Sequence, residues 1–298
     1  MDKRQQAVEW PTLALLVTCY LGWAAAIFWI SALWLPLGFV ATVILIALHS
    51  SLTHELIHGH PFEKALANEI VGFPCLGLLV PYRRFKDLHI AHHRDENLTD
   101  PYDDPESNYL DPEVWARQPG WARRLLMFNN TLMGRILVGP AVGMFAFLRA
   151  DVRAMRAGDR SVTLAWALQI PSVALVLTLV SWSAMPLWAY LIAAYLGYGI
   201  IKIRTYLEHR AHDHANGRTA IVEDRGPLAF LFLNNNLHVV HHMYPKVPWY
   251  DLPALYRADR QKYLDRNDSY VYRSYAQIFR QHFWHAKDPV PHPLWRKP

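Results

Sequence analysis

Lysine and arginine are missing from two long stretches of the 298-residue chain: none occurs from Gln5 to Glu63, and none from Ser161 to Ile201. A soluble domain scatters its charge because every outward face meets water, so long uncharged apolar runs belong in lipid. Cysteine is scarce as well. The only two, Cys19 and Cys75, lie in apolar surroundings and form no CxxC pair. That excludes a disulfide framework and leaves both as small buried hydrophobes. No haem-binding domain, flavin fingerprint, internal repeat or low-complexity tract is present. The net charge is +5, but the basic residues form no compact patch with a reading helix, so nucleic acid is not an expected partner. They lie mostly outside the apolar runs, as at a cytosolic face beside anionic lipid.

What is abundant is apolar. Hydrophobic residues make up 52% of the chain, with 12 tryptophans, yet the mean hydropathy is only +0.01. Polar and apolar residues are therefore segregated along the sequence. The first apolar run, residues 10–48, would be about 58 Å long as one helix, against a hydrocarbon core of about 30 Å. It should fold as two spans, 11–30 and 33–49. The second run, 162–203, breaks at Trp182-Ser183-Ala184-Met185-Pro186 and gives spans at 162–181 and 187–203. Neither connecting turn has Lys or Arg, whereas Asp2-Lys3-Arg4, residues 64–160 and the region from Lys202 onward do. The positive-inside rule then places both termini in the cytosol, as expected for a multi-pass protein of a bacterial inner membrane. Asp2-Lys3-Arg4 followed by an apolar stretch and Ala24-Ala25-Ala26 imitates a cleavable signal peptide, but the apolar run continues past it, and cleavage would strand the second span. Residues 66–80 are apolar but short and carry Pro74 and Gly77, so they should lie at the interface or re-enter. Residues 123–147 are similar, with Arg135 in the middle and a break at Gly139-Pro140.

The expected architecture is thus an all-α integral membrane protein with four transmembrane helices in two hairpins. A cytosolic helical cap (50–160 and 204–298) completes a single domain over 1–298.

The 16 histidines are clustered. His54-Glu55-Leu56-Ile57-His58 lies where the second span leaves the membrane, and its i, i+4 pair faces one side of a helix. His89-Ile90-Ala91-His92-His93 and His238-Val239-Val240-His241-His242 each place i, i+3 and i+4 on one helical face. His209, with His212 and His214 nearby, follows the fourth span. All four groups fall on the cytosolic side of a topology drawn without using histidine. Nine converging imidazoles exceed what one zinc ion needs, so two ions fit better. Imidazole suits iron, copper, nickel and zinc alike, and spacing alone does not name the metal. His54-Glu55-x-x-His58 is also the HExxH signature of zinc proteases, with the glutamate as general base. An intramembrane protease is therefore a rival class, although it leaves seven histidines unexplained.

With boxes reading HELIH, HIAHH and HVVHH in order between and after two helical hairpins, and an extra histidine in Leu207-Glu208-His209-Arg210, the chain resembles the membrane fatty acid desaturase and hydroxylase superfamily over nearly its whole length. The resemblance implies a non-haem di-iron centre of two iron ions that activates oxygen for attack on an unactivated C–H bond. Carried over residue by residue, it implies metal ligands at His54, His58, His89, His92, His93, His209, His238, His241 and His242. His212 is an extra candidate, and His49 and His60 are interfacial or orienting. Glu55, Asp87, Asp95 and Glu208 are candidates to fix imidazole tautomers. Asn234-Asn235-Asn236 reads either as reaching the metal or as a cap or turn.

The acidic segment 95–105 (DENLTDPYDDP) resembles segments of hydroxylases and carotenoid-modifying members, or is a loop of Asx turns. Residues 248–263, with Tyr256 and Tyr263 amid Arg and Lys, read as an interfacial amphipathic element. The implied substrate is a lipid or fatty-acyl chain. Desaturation leads, with hydroxylation, ketolation or oxidative decarboxylation as alternatives. Electrons are expected from a separate ferredoxin, rubredoxin or cytochrome b5 type donor.

Overall fold

The structure, a computed structural model, describes residues 8–295 with the exception of the Asp95 side chain. Asp2-Lys3-Arg4, whose Lys and Arg bear on orientation, lies outside the described residues. The chain packs as two compact units, each made of two segments: residues up to 86 with Ala141–Ile201, and Asp87–Pro140 with the residues from 202 onward.

Three helices of the described residues are long and apolar enough to cross a membrane: α1 (Trp10–Leu33), α2 (Leu35–Ile57) and a helix at Arg160–Ser181. α1 has Pro11 in its first turn, where the missing N–H costs nothing. Near its end it widens into a π turn at Ala26–Ile30. The chain then reverses at a single extended residue, Trp34. Gly38 makes that reversal possible, because a Cβ there would meet Ser31 Oγ at 2.2 Å and Ser31 backbone at 2.8 Å. Ser31 is consequently buried, with its hydroxyl donating to Ala26 O (2.7 Å), and the exposed tip is Leu33-Trp34.

α2 continues well past the expected end of the span at 49. Its 23 residues reach about 35 Å, so the helix leaves the apolar zone still hydrogen-bonded and carries the first histidine box in its last turn. α3 (Ala65–Val71) is short, α4 (Tyr82–His92) bears the second box, and α5 (Gly139–Arg156) leads into α6 (Arg160–Ser181). α7 (Leu187–Thr205) has 19 residues, but Trp188, Tyr190, Tyr195, Tyr198, Lys202 and Arg204 dilute its apolar run, and it is not among the three clear candidates.

In the first unit, Trp23, Ile27, Val43, Ile46, Val176, Val180, Ala189 and Tyr190 pack into one core with Leu76. The opposite faces are apolar yet exposed, at Leu21, Leu37, Val40, Ile44, Ile170, Leu191 and Ile192, with Trp10, Trp29, Trp34, Trp182 and Trp188 toward the helix ends. An apolar exterior with tryptophans at its margins is the pattern of a protein dissolved in lipid.

Residues 72–81 leave helical geometry, and side chains of α6 and α7 satisfy their backbone. The Cys75 N–H donates to Ser172 Oγ (3.0 Å), whose hydroxyl donates on to Phe73 O; Gln169 donates to Leu78 O (2.9 Å) and Tyr190 to Leu76 O (2.8 Å). Irregular backbone is tolerated among spans only when sealed in this way. In the same unit the Arg84 guanidinium grips the buried Asp151 carboxylate through two nitrogens (2.8 and 2.9 Å), and Trp166 Nε1 donates to it as well (2.8 Å).

The second unit consists of short helices around a two-residue parallel pairing, Ile221–Val222 with Val271–Tyr272, a small departure from an all-α fold. α8 (His238–Met243) carries the third box. Its Val239 and Val240 enter a core with Ile221, Leu237, Leu252, Tyr256, Tyr263 and Leu264. Tyr256 and Tyr263 are therefore core residues (6% and 1% exposed) rather than interfacial anchors. Their ring burial outweighs the basic residues beside them, which stay at the surface.

Candidate metal centre

In the first unit, box one sits at the end of α2. His54 lies in the last turn and His58 caps the helix, their ring centroids 4.8 Å apart. The i, i+4 expectation is met: both rings share a face. Glu55 is buried, 3.6 Å from His54 Nδ1, which is too long for a hydrogen bond.

The second unit holds the other seven predicted imidazoles. His89 and His92 come from the last turn of α4 and His93 from just beyond it. His238, His241 and His242 come from α8, whose valines face the core while the histidines face the site. His209 lies on extended backbone after α7, pinned by an antiparallel bridge to Thr219. One donor nitrogen from each of His92, His209, His238 and His242 falls within 4.8 Å of the others. Within it, Nε2 atoms approach to 2.9 Å for His92 with His209 and 3.2 Å for His209 with His238. Beside this set, His93 Nε2 lies 3.0 Å from His89 Nε2 and 3.1 Å from His241 Nε2. A neutral ring nitrogen either donates one proton or accepts one, so a nitrogen in contact with two others, as in each trio, is left with an unfavourable contact unless a cation sits among them. Metal–nitrogen bonds of about 2.0–2.1 Å place neighbouring ligand nitrogens roughly 3.0–3.4 Å apart. The observed contacts have the length of such edges, so the residues fit a histidine-bound metal.

The remaining ring nitrogens are oriented from behind. His92 Nδ1 meets Asp104 (2.7 Å), His89 Nδ1 meets Glu106 (2.8 Å), and His238 Nδ1 meets Asn235 Oδ1 (2.9 Å). Burial pulls His209 and His238 well below the ordinary imidazole range, reinforced by the neighbouring histidines, which keeps their lone pairs free for a metal. Burial pulls His92 down as well, but Glu106 and Asp104 outweigh it and lift the group to about 9. Glu106 is itself held well below the carboxylate range: burial pushes it up, and His92 and His89 more than reverse that. Burial raises Glu208, against the opposing pull of Arg204, whose Nε lies 2.8 Å from its Oε1.

The orienting groups were only partly anticipated. Glu208 is 3.7 Å from His238 Nδ1, Asp87 is exposed on α4, and the Asp95 side chain lies outside the described residues. Asp104 and Glu106 do the orienting for box two, and their sequence signal was an acidic loop directly following a metal box. Asn235 orients His238, while Asn234 adopts positive φ (55°) and donates to Trp249 O (3.0 Å) in a turn. His212 stands apart from both sets, its nitrogens near His214 O (3.1 Å) and Asp268 (3.3 Å). His49 meets Tyr20 (3.0 Å) and His60 meets Glu9 (2.7 Å).

Residues 31–274, which contain every one of these boxes, match the fatty acid desaturase family model. The chain belongs to the fatty acid desaturase family. Among curated proteins it is 26% identical over 281 residues to the human sphingolipid delta(4)-desaturase/C4-monooxygenase, covering 89% of this chain and 78% of that protein. It is 25% identical over 226 residues to a beta-carotene ketolase of a Paracoccus strain, covering 74% of each. It is 26% identical over 229 residues to a Drosophila melanogaster sphingolipid delta(4)-desaturase, covering 76% of this chain and 64% of that one. In a desaturase-family site the groups behind the imidazoles are open to direct test. Asp104→Asn keeps the size of the side chain but removes the charge behind His92, and should lower metal affinity or turnover by about 10–100-fold. Metal titration of the purified variant reads the effect, and an unchanged affinity would remove Asp104 from the site.

Proposed function

We propose that this protein is an O2-dependent, non-haem di-iron oxidoreductase of the membrane that attacks an unactivated C–H bond of a lipid chain. The observation that carries this reading is the pair of contacting imidazole sets in the second unit, one around His209 and one around His93. The ligands are His54, His58, His89, His92, His93, His209, His238, His241 and His242, with box one assigned by the family's order of boxes. Bound iron would supply the oxygen activation. Burial favours the neutral form of His209 and His238, and Asp104, Glu106 and Asn235 orient the rings of His92, His89 and His238 from behind. The zinc-protease reading accounts for HELIH alone and gives no role to the other seven histidines.

The reaction proposed first is desaturation of a fatty-acyl chain, supported by the family and by two relatives whose names state desaturation. Hydroxylation or ketolation of a lipid, alkane or terpenoid is the second reading, supported by the ketolase relative and by the acidic segment after box two. Oxidative decarboxylation would need only a different placement of the same chain. We further propose four spans in two hairpins with both termini cytosolic, supported by the Lys and Arg distribution, and one functional domain built from both units. Electrons would come from a separate ferredoxin, rubredoxin or cytochrome b5 type donor. Exposed Arg257 and Lys262 suit an acidic carrier.

Incubating the iron-loaded protein with a donor, oxygen and a lipid extract, followed by mass spectrometry, separates the outcomes. Loss of a hydrogen pair identifies desaturation, gain of oxygen identifies hydroxylation or ketolation, and loss of carbon dioxide identifies decarboxylation. The absence of any oxygen-dependent product would overturn the proposal.

A further inference from the structure

We infer that the C-terminal segment 287–292, together with Tyr109, is a clamp that positions the His209 ligand and the acid-bearing loop behind box two. The inference rests on reading His209 as a metal ligand. His209 differs from its neighbours in the site. The others sit on or beside helices whose backbone fixes them, whereas His209 lies outside any helix, at an isolated bridge, and its place must be set by neighbouring segments.

Three contacts set it. The bridge to Thr219 holds one side. From the other, the Lys287 ammonium donates to the carbonyl of His209 itself, and the Ala211 N–H donates to Tyr109 Oη (2.9 Å). The Asp288 carboxylate ties these together: Tyr109 donates its hydroxyl proton to Oδ2, and Lys287 Nζ lies 3.1 Å from the same oxygen. Lys287 is only 11% exposed, and a buried ammonium must be hydrogen-bonded to acceptors to be tolerated.

The same segment grips the loop that carries Asp104 and Glu106. The Leu110 N–H donates to Val290 O (3.0 Å), and the His292 N–H donates back to Leu110 O (2.8 Å). His292 Nε2 meets the Thr99 hydroxyl (3.2 Å). Asp104 in turn accepts from the Thr99 N–H (2.8 Å) and the Glu106 N–H (2.9 Å). The tail thus reaches both ends of the loop whose acids orient His92 and His89. The family match ends at residue 274, so segment 287–292 lies beyond the matched region, while Tyr109 and His209 lie within it.

The test is a chelator-competition metal titration of purified full-length Lys287→Met, Lys287→Arg and Tyr109→Phe, with thermal unfolding recorded alongside. Two metal-binding steps are expected for the unaltered protein. Lys287→Met should weaken one step by about 10–100-fold and leave the other unchanged. Tyr109→Phe should shift the same step less, and Lys287→Arg, which keeps a charged donor, should recover most of the loss. Cobalt-loaded Lys287→Met should show an altered ligand-field spectrum at the weakened site. Unshifted steps and spectrum in both Lys287→Met and Tyr109→Phe would overturn the clamp while leaving the proposed function standing. Equal weakening of both steps with a lowered melting temperature would also overturn it, in favour of a purely structural tail. Absence of metal binding in the unaltered protein would overturn both readings.

Discussion

Replacing His92 or His238 by alanine should abolish oxygen-dependent turnover while the chain remains inserted in the membrane, whereas Glu55→Gln should keep measurable activity. Each of the two histidines is 2% exposed and sends Nε2 toward the same partner, His209, at 2.9 and 3.2 Å. Removing either ring takes a nitrogen from a four-imidazole set and leaves Asp104 or Asn235 facing a cavity. Insertion should survive, because the apolar helices α1, α2 and α6 belong to the first unit and neither histidine does. Glu55 stands differently. It is buried with its Oε1 3.6 Å from His54 Nδ1, placed to support an imidazole from behind, and losing such support costs about 10–100-fold rather than everything. In a zinc protease the ranking reverses, since that carboxylate would be the general base and the boxes around His92 and His238 would have no task. Oxygen consumption and product formation by the three variants, with membrane fractionation as the control, decide between the classes. An inactive Glu55→Gln beside active His92→Ala and His238→Ala would overturn the di-iron reading.

The parts of this site that were legible in the sequence are those set by helical spacing. His54 with His58, and the i, i+3, i+4 sets of boxes two and three, follow from one helical face each, and the valines between His238 and His241 fall into the core as that spacing requires. The ends of the spans were less legible, because hydropathy falls where lipid ends while helical hydrogen bonds continue. α2 accordingly runs to Ile57 rather than stopping near 49. Gly38 against Ser31 shows the same limit at the hairpin tip: a close backbone approach buries a serine that composition would place in a loop. The orienting acids were the least legible. Asp95 is nearer to box two in sequence, but Asp104 and Glu106 reach it because the 99–111 loop folds back, with Asp104 accepting from Thr99 and the tail pairing with Leu110. Tyr256 and Tyr263 were misplaced for a related reason. Amphipathic spacing marks an apolar face without saying whether lipid or protein covers it, and here Val239, Val240 and Leu252 do.

Stripping the metal should reduce turnover to background, and only iron should restore it, even though zinc will occupy the same histidines. The donor set supplies the argument. Neutral imidazoles bind most first-row divalent ions, and the contacts of about three ångströms among His92, His209 and His238 match zinc–nitrogen geometry as well as iron–nitrogen geometry. Affinity alone therefore cannot distinguish the metals at this site, and protein purified from a zinc-rich medium should carry zinc. Function can distinguish them, because zinc has a single stable valence under these conditions and removal of hydrogen from a saturated chain requires electrons to pass through the site. The expected result is two equivalents of either metal per chain by elemental analysis, similar protection against thermal unfolding, and oxygen-dependent product from the iron form alone. A zinc-loaded preparation, shown free of iron, that turned over lipid at the rate of the iron form would remove the oxidative reading of the site. A single equivalent at saturation would leave one of the two imidazole sets without a role.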